Sequence, residues 1–275
     1  MAKEVEEFYD SSANNEWERL NKHKIEFEIT KRYLDRYIQK GAKILDVGGG
    51  PGRYSIYLAQ QGHDVTLLDL SSNNISLAKQ KAEERGVSLS NYIHGNALDL
   101  SKLQDQSYDV VLCMGPMYHL TEEDDRKRAI KECLKKLKKD GSIFVAFISA
   151  YAPIIDLLKN YPEELENYGE DALLRYLQDG KNIVSDSNPG FTTAYFKKPD
   201  KIELFMKKFG LNKQVIAAVE GLAAQSEPKL NNLSKEAFDK WVNLIFHTST
   251  DPLTWAGCEH LLYIGTKNCS DRGRE

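Results

Sequence analysis

Residues 44–54 read ILDVGGGPGRY: an apolar run, an acid, three glycines, then Pro51, Gly52 and Arg53. An apolar strand that breaks into glycines can turn into a helix while leaving its backbone open to a ligand. A second apolar run, residues 65–68, ends at Asp69. That spacing puts a carboxylate at the tip of the neighbouring strand, within reach of a ribose. The chemistry predicted here is binding of a nucleoside-containing cofactor.

The dinucleotide fingerprint Gly-x-Gly-x-x-Gly fits no register of this loop. From Gly48 the third position is Arg53; from Gly49 the second is Pro51; from Gly50 the third is Ser55. A phosphate-cradling Walker loop is excluded because no Gly-Lys-Ser/Thr follows. The segment resembles instead the first motif of the class I S-adenosylmethionine-dependent methyltransferases, hh(D/E)hGxGxG, met by Asp46, Gly48, Gly50 and Gly52. The resemblance continues in order. Asp69, followed by Leu70, matches the acid that holds the ribose hydroxyls. Residues 92–97 look like the third strand and the turn that contacts adenine, through Asn96 and the Ala97 backbone. The family usually has Asp where Asn96 stands, and a neutral amide oxygen is the weaker acceptor. Residues 108–114 look like the fourth strand, which puts Met114 and Gly115 where the methyl group is expected. Residues 129–139 and then 140–147 look like a helix, a turn and the fifth strand. Residues 115–120, GPMYHL, are similar to a subgroup of small bacterial methyltransferases. The likeness covers residues 1–149. It implies S-adenosylmethionine as cofactor and S-adenosylhomocysteine as product.

Tyr118 and His119 directly follow the strand end that faces the methyl. They are the candidate catalytic residues. With an unperturbed pKa of about 6.5, His119 suits removal of a proton from an acceptor hydroxyl or amine. The other reading is that it caps the next helix or lines the cofactor cavity. Methyl transfer itself asks mainly for alignment and shielding, and implies no metal or covalent intermediate. Arg53 has two readings, a surface residue at a helix start or a partner for a carboxylate. His94 stands near the adenine turn. His23 and His63 read as surface residues, and His247 with Trp255 as packing or as part of a lid cavity.

The elements that must position these groups alternate from 44 to 147 as strands and helices, which implies a parallel sheet with right-handed crossovers. Residues 215–219 and 261–266 supply two more strands. The fold class predicted is α/β: a Rossmann-like, seven-stranded, mostly parallel sheet with helices on both faces and a helical lid from insertions. The core comprises 1–149, 199–221 and 259–268, with 1–40 as an N-terminal helical cap. That cap either packs on the sheet edge or folds over the cofactor through Phe8, Tyr9 and Arg19. Segments 150–198, aromatic and with a turn at Asn188-Pro189-Gly190, and 222–258, with a helix predicted over 234–247, form the lid. Residues 269–275 are read as a flexible tail.

The 275 residues are 41% hydrophobic and 28% charged, ordinary for a globular enzyme. A net charge of −4 speaks against a general nucleic-acid surface. The lysines at 135–139 are read as a solvated helix end. Four cysteines without Cys-x-x-Cys spacing indicate neither a zinc site nor a disulfide framework. No apolar signal core or 18-residue apolar run occurs, so a cytoplasmic protein with no membrane partner is expected, as monomer or homodimer. The leading expectation is methylation of oxygen or nitrogen on a small-molecule acceptor. The alternatives are a protein or RNA methyltransferase, or a non-catalytic cofactor-binding module. The Asn/Asp-Pro-Pro-Tyr signature of many amino methyltransferases is replaced here by Met114-Gly115-Pro116-Met117, and the cysteines lack the arrangement of arsenite-methylating enzymes.

Overall fold

The computed structural model describes residues 2–183 and 192–267. The N-terminal region forms two helices, α1 (Ala2–Lys22) and α2 (Lys24–Tyr37). Alternation then follows through β1 (Lys43–Val47), α3 (Arg53–Gln60), β2 (Asp64–Asp69), α4 (Ser72–Glu84), β3 (Asn91–His94), β4 (Tyr108–Cys113), α5 (Glu123–Lys136) and β5 (Leu137–Ile148). The next segment holds α6 (Ala152–Asn160), α7 (Leu165–Tyr168), α8 (Glu170–Gln178) and the short pair β6 (Lys181–Asn182) and β7 (Ala194–Tyr195). The chain returns through α9 (Ile202–Met206) to β8 (Leu211–Ala218), passes α10 (Glu227–Leu230) and α11 (Lys235–Thr248), and ends in β9 (His260–Lys267).

The main sheet has seven strands in the order β3-β2-β1-β4-β5-β9-β8. β9 runs antiparallel to both its neighbours and the other pairs are parallel, as predicted. The strand order reverses beside β1, with β2 on one side and β4 on the other. At such a switch point the loops from adjacent strand ends diverge and leave a crevice. Two apolar clusters sandwich the sheet. One packs Ile25, Ile29 and Leu34 of α2, Leu58 of α3 and Ile245 of α11; the other packs Ile130 of α5 and Phe205 of α9. Each fully buried Ile or Leu of this kind contributes about 1.5–3 kcal/mol.

Two features differ from the sequence reading. The helix predicted over 129–139 starts earlier, at Glu123, and stops at Lys136; β5 then runs through the predicted turn, with Asp140 at φ 61° and an irregular register against β4. The lysine run is therefore no simple helix end. Lys136 is buried against the Leu103 carbonyl and Asp105, and Lys138 pairs with Asp109. Second, segment 222–258 packs against α2 and the core, with Val242 and Ile245 buried in the same cluster as Ile29. None of its residues lines either large cavity described below, so it does not occupy the lid position expected for it. The physical reason is α11's apolar face, which continues the core around Tyr33 and Phe246 (ring centroids 4.9 Å apart). The Asn188-Pro189-Gly190 turn and the tail 269–275 lie outside the described residues.

Candidate active site

The crevice beside β1 opens into a cavity whose lining includes every site residue singled out from sequence: Asp46, Gly48, Gly50, Asp69, Leu70, Asn96, Ala97, Met114, Gly115, Tyr118 and His119. They come from the carboxyl ends of β1, β2, β3 and β4. The glycines do distinct work. Gly48 has φ 69°, and a Cβ there would lie 2.8 Å from Pro116 Cδ. A Cβ at Gly115 would lie 2.5 Å from the Gly48 carbonyl oxygen, so the tips of β1 and β4 meet backbone to backbone. Gly49 has no room either: its Cβ would fall 2.3 Å from Leu67 and 2.5 Å from Asp46.

Asp69 is anchored by the loop it faces. Its carboxylate accepts from the Gly50 N–H (2.7 Å), the Ser71 N–H (2.9 Å) and the Asn74 amide (3.1 Å). Burial still raises its pKa against these three donors. Asn74, 1% exposed on α4, lines the same cavity, and its Oδ1 has no partner. An orphaned buried acceptor beside a carboxylate suits a hydroxyl-bearing ligand, since leaving it unpaired costs about 1–3 kcal/mol. Sequence reasoning missed Asn74; an Asn five residues past the acid, inside an apolar helix stripe, was the available signal. Asp46 is 2% exposed and accepts from Ser55 Oγ at 2.7 Å. Burial outweighs that bond and pushes its pKa up to about 7. The Asn96 side-chain oxygen accepts from the Leu98 N–H (2.9 Å), which fixes its orientation toward the cavity turn.

The N-terminal helix closes over this crevice. Asp10 accepts from Ser71 Oγ (2.6 Å) and the Asn73 N–H (3.1 Å), tying α1 to the start of α4. Glu4 of the same helix accepts from Thr193 Oγ1 (2.5 Å) on the far side. Tyr9, Glu16 and Arg19 consequently line the cavity, whereas Phe8 does not. Arg53, at the start of α3, lines the first cavity and also has a packing role. Its guanidinium lies between the rings of Trp17 (4.8 Å) and Phe27 (4.9 Å) and donates to the Trp17 carbonyl (3.1 Å), so it pins α1 to α3.

His119 sits against this helix. Its Nδ1 lies 3.4 Å from the Thr193 carbonyl and its Nε2 2.8 Å from the Tyr9 hydroxyl. A carbonyl only accepts, so the proton belongs on Nδ1, and Nε2 accepts from Tyr9. Burial holds the imidazole's pKa down to about 4, with the Thr193 carbonyl opposing. It is a neutral acceptor near pH 7. Burial also raises the Tyr9 and Tyr118 hydroxyls above the ordinary tyrosine range, which keeps both as donors.

A second cavity joins the first. Tyr9, Glu16, Arg19, Tyr118 and His260 line both. Its outer wall comes from segment 150–183, with Leu157, Tyr161, Leu173 and Tyr176, and from Phe196. At the junction Arg19 makes a paired fork to Glu26 (2.7 and 3.0 Å), and His260 Nδ1 contacts Glu220 at 2.5 Å. Burial disfavours the His260 charge, yet Glu26 and Glu220 hold its pKa up, to about 9. Glu26, Glu220 and His260 bring ligand atoms within 4.8 Å of one another, but Arg19 already takes both Glu26 oxygens. This is an ion-pair network complete with its own cations. His260 escaped the sequence reading because its partners are distant in the chain. Among the other histidines, His94 donates to the Leu70 carbonyl (2.7 Å) and His23 contacts Glu227 (3.2 Å); His247 lines neither cavity.

Residues 45–145 match a family model described as a methyltransferase domain. The chain is 29% identical over 151 residues to a ubiquinone biosynthesis O-methyltransferase of Aliivibrio fischeri, covering 53% of this chain and 62% of that one. The chain thus spans about three fifths of the length of that curated relative. Among solved structures, a magnesium protoporphyrin IX methyltransferase from Synechocystis with bound S-adenosylhomocysteine aligns at TM-score 0.58 and 14% identity, covering 97% of this chain and 99% of that one. A methyltransferase from Methanosarcina mazei aligns at TM-score 0.58 and 19% identity, over 86% of this chain and 97% of that one. The glycine loop, the acid at the tip of β2 and the matched family model agree: this chain carries a class I S-adenosylmethionine-dependent methyltransferase domain.

Proposed function

We propose that the chain transfers a methyl group from S-adenosylmethionine to an oxygen or nitrogen of a small-molecule acceptor. The observation that carries this reading is the junction of the two cavities at Tyr9, Glu16, Arg19, Tyr118 and His260. One cavity has the acid, glycines and unpaired amide oxygen suited to a nucleoside. The other is walled by aromatic and aliphatic side chains and opens onto the first. When bound, the cofactor would supply an electrophilic methyl on a sulfonium for the acceptor's lone pair to take, with S-adenosylhomocysteine as the leaving group. Asp69 and Asn74 hold the ribose, and Asn96 with the Ala97 backbone holds the adenine. Met114, Gly115 and Tyr118 bound the space where donor and acceptor meet. α1 and segment 150–183 exclude water from that space, which strengthens the oriented groups inside. His119, neutral, takes the acceptor's proton through the Tyr9 hydroxyl, which passes its own proton to Nε2 as it receives the acceptor's. The O-methyltransferase activity of the Aliivibrio fischeri relative supports an oxygen acceptor.

Calorimetry with S-adenosylhomocysteine and with NAD tests the cofactor assignment; NAD binding of equal or greater strength would overturn it. Steady release of S-adenosylhomocysteine with an added acceptor separates an enzyme from a cofactor-binding module.

A further inference from the structure

We infer that the acceptor carries a cationic group, an alkylammonium on an apolar or aromatic frame, seated in the second cavity between the junction and the Asp156–Glu164 rim. The inference rests on the methyltransferase reading and names the class of its acceptor.

The argument is one of charge left over after the cations are assigned. Among the described residues, three cationic side chains line the second cavity: Arg19, His23 and His260. Each is committed to a buried carboxylate behind the wall. Arg19 forks onto Glu26, His260 rests on Glu220, and His23 contacts Glu227. Those three acids are 6%, 0% and 1% exposed, so their charges reach little solvent and cannot release their partners cheaply. An anionic acceptor would have to strip one of these pairs and strand a buried carboxylate.

The acids that line the cavity are differently placed. Glu16 shares Arg19 with Glu26, at 3.3 Å. Glu259 pairs with Lys159. Asp156 and Glu164 have as their hydrogen-bond partners the neutral amides of Asn160 (2.6 Å) and Asn167 (2.9 Å). With both imidazoles protonated, these four acids and the three behind them still outnumber the four cations, Arg19, Lys159, His23 and His260. The surplus is negative and lies beside the rings of Tyr9, Tyr118, Tyr161 and Tyr176. Ring faces attract an ammonium through their quadrupole, and they add the apolar surface for the rest of the molecule. Carboxylates at the rim and aromatic rings along the wall favour the same charge. The junction end stays free for the reacting atom, because the rim acids sit on α6 and in the turn before α7, whereas the residues shared with the first cavity come from α1, the turn after β4 and the start of β9.

The test uses the full chain saturated with S-adenosylhomocysteine and three probes that share a phenylethyl frame: 2-phenylethylamine, 2-phenylethanol and 3-phenylpropanoate. Titration calorimetry should give the amine an affinity at least about tenfold above the alcohol, with the carboxylate weakest. The rim variant Asp156→Asn/Glu164→Gln should shrink that preference severalfold while leaving S-adenosylhomocysteine binding unchanged. Equal affinities, tighter binding of the carboxylate, failure of the amine to bind, or an unchanged preference in the rim variant overturns the inference. The S-adenosylhomocysteine titration made first keeps the two readings apart. A protein that does not bind it fails as a methyltransferase, whereas one that binds it and rejects the amine fails only in the acceptor class.

Discussion

The two cavities share five side chains and are built on opposite principles. The one at the switch point is shaped by backbone. Its floor is the close approach of Gly48 and Gly115, and its acid is fixed by two N–H groups and a buried amide. The other is shaped by side chains from α1, α6, α8, the turn between α6 and α7, and Phe196 after β7; of these Tyr161 stands exposed. A backbone-built site tolerates few residue types and holds one ligand geometry. A side-chain-built site can be relined without disturbing the sheet. Under the proposed function, the fold separates what is constant in the reaction, the methyl donor, from what varies, the acceptor.

The sharpest way to probe the boundary between them is His119→Ala. If this imidazole serves the acceptor side, turnover should fall about 10²–10⁴-fold with little change in cofactor dissociation constant. A large loss of S-adenosylhomocysteine affinity in the same variant would move His119 to the cofactor side and erase the boundary as drawn. Tyr9→Phe, which removes the hydroxyl bonded to Nε2, should reproduce part of the rate loss.

Next in size is a pH effect confined to the backbone-built cavity. Folding raises Asp46 to about 7, so the folded chain binds a proton that the unfolded chain releases above about 3.9. Stability from this group is therefore lost as pH rises toward 7. Asp46→Asn abolishes that loss, and its advantage over wild type should grow to about 2–4 kcal/mol between pH 4 and 7 and then level off. His119 slopes the other way. Held down to about 4, it remains neutral in the folded chain while the unfolded chain takes up a proton below about 6.5, so stability is lost as pH drops through that window. Urea midpoints for both variants across pH 4–8 check the signs; an Asp46→Asn advantage independent of pH would mean the carboxyl is ionised throughout.

Asp69→Ala should weaken S-adenosylhomocysteine binding by about 1.5–3 kcal/mol, measured by calorimetry. An unchanged dissociation constant would remove Asp69 from the ribose. The smallest effect is expected on the other side. Tyr161→Ala, at an exposed wall position, should alter stability by no more than about 0.5 kcal/mol and leave cofactor affinity intact, while raising the acceptor's KM. If it instead weakened the cofactor as Asp69→Ala does, the two cavities would be one site energetically.

The sequence by itself determined the sheet, the glycine loop and the acids on β1 and β2, but not Asn74 or His260 of the first cavity. Backbone geometry is written locally: a left-handed φ or a missing Cβ demands glycine at fixed spacing, and a buried strand demands a continuous apolar run. Asp46, Gly48, Gly50 and Asp69 were legible for that reason. The limits of α5 and β5 were not, because Asp140 takes a positive φ that no glycine announces. Only the tertiary structure decided the rest. It placed Arg53 between Trp17 and Phe27, set α11 against α2 and left segment 150–183 to wall the second cavity. It also brought His260 and Glu26, far apart in the chain, to within 3.8 Å. Charge pairing and cavity walls depend on which distant side chains meet, and meeting is governed by how apolar faces of separate helices bury one another, which carries no fixed spacing along the chain.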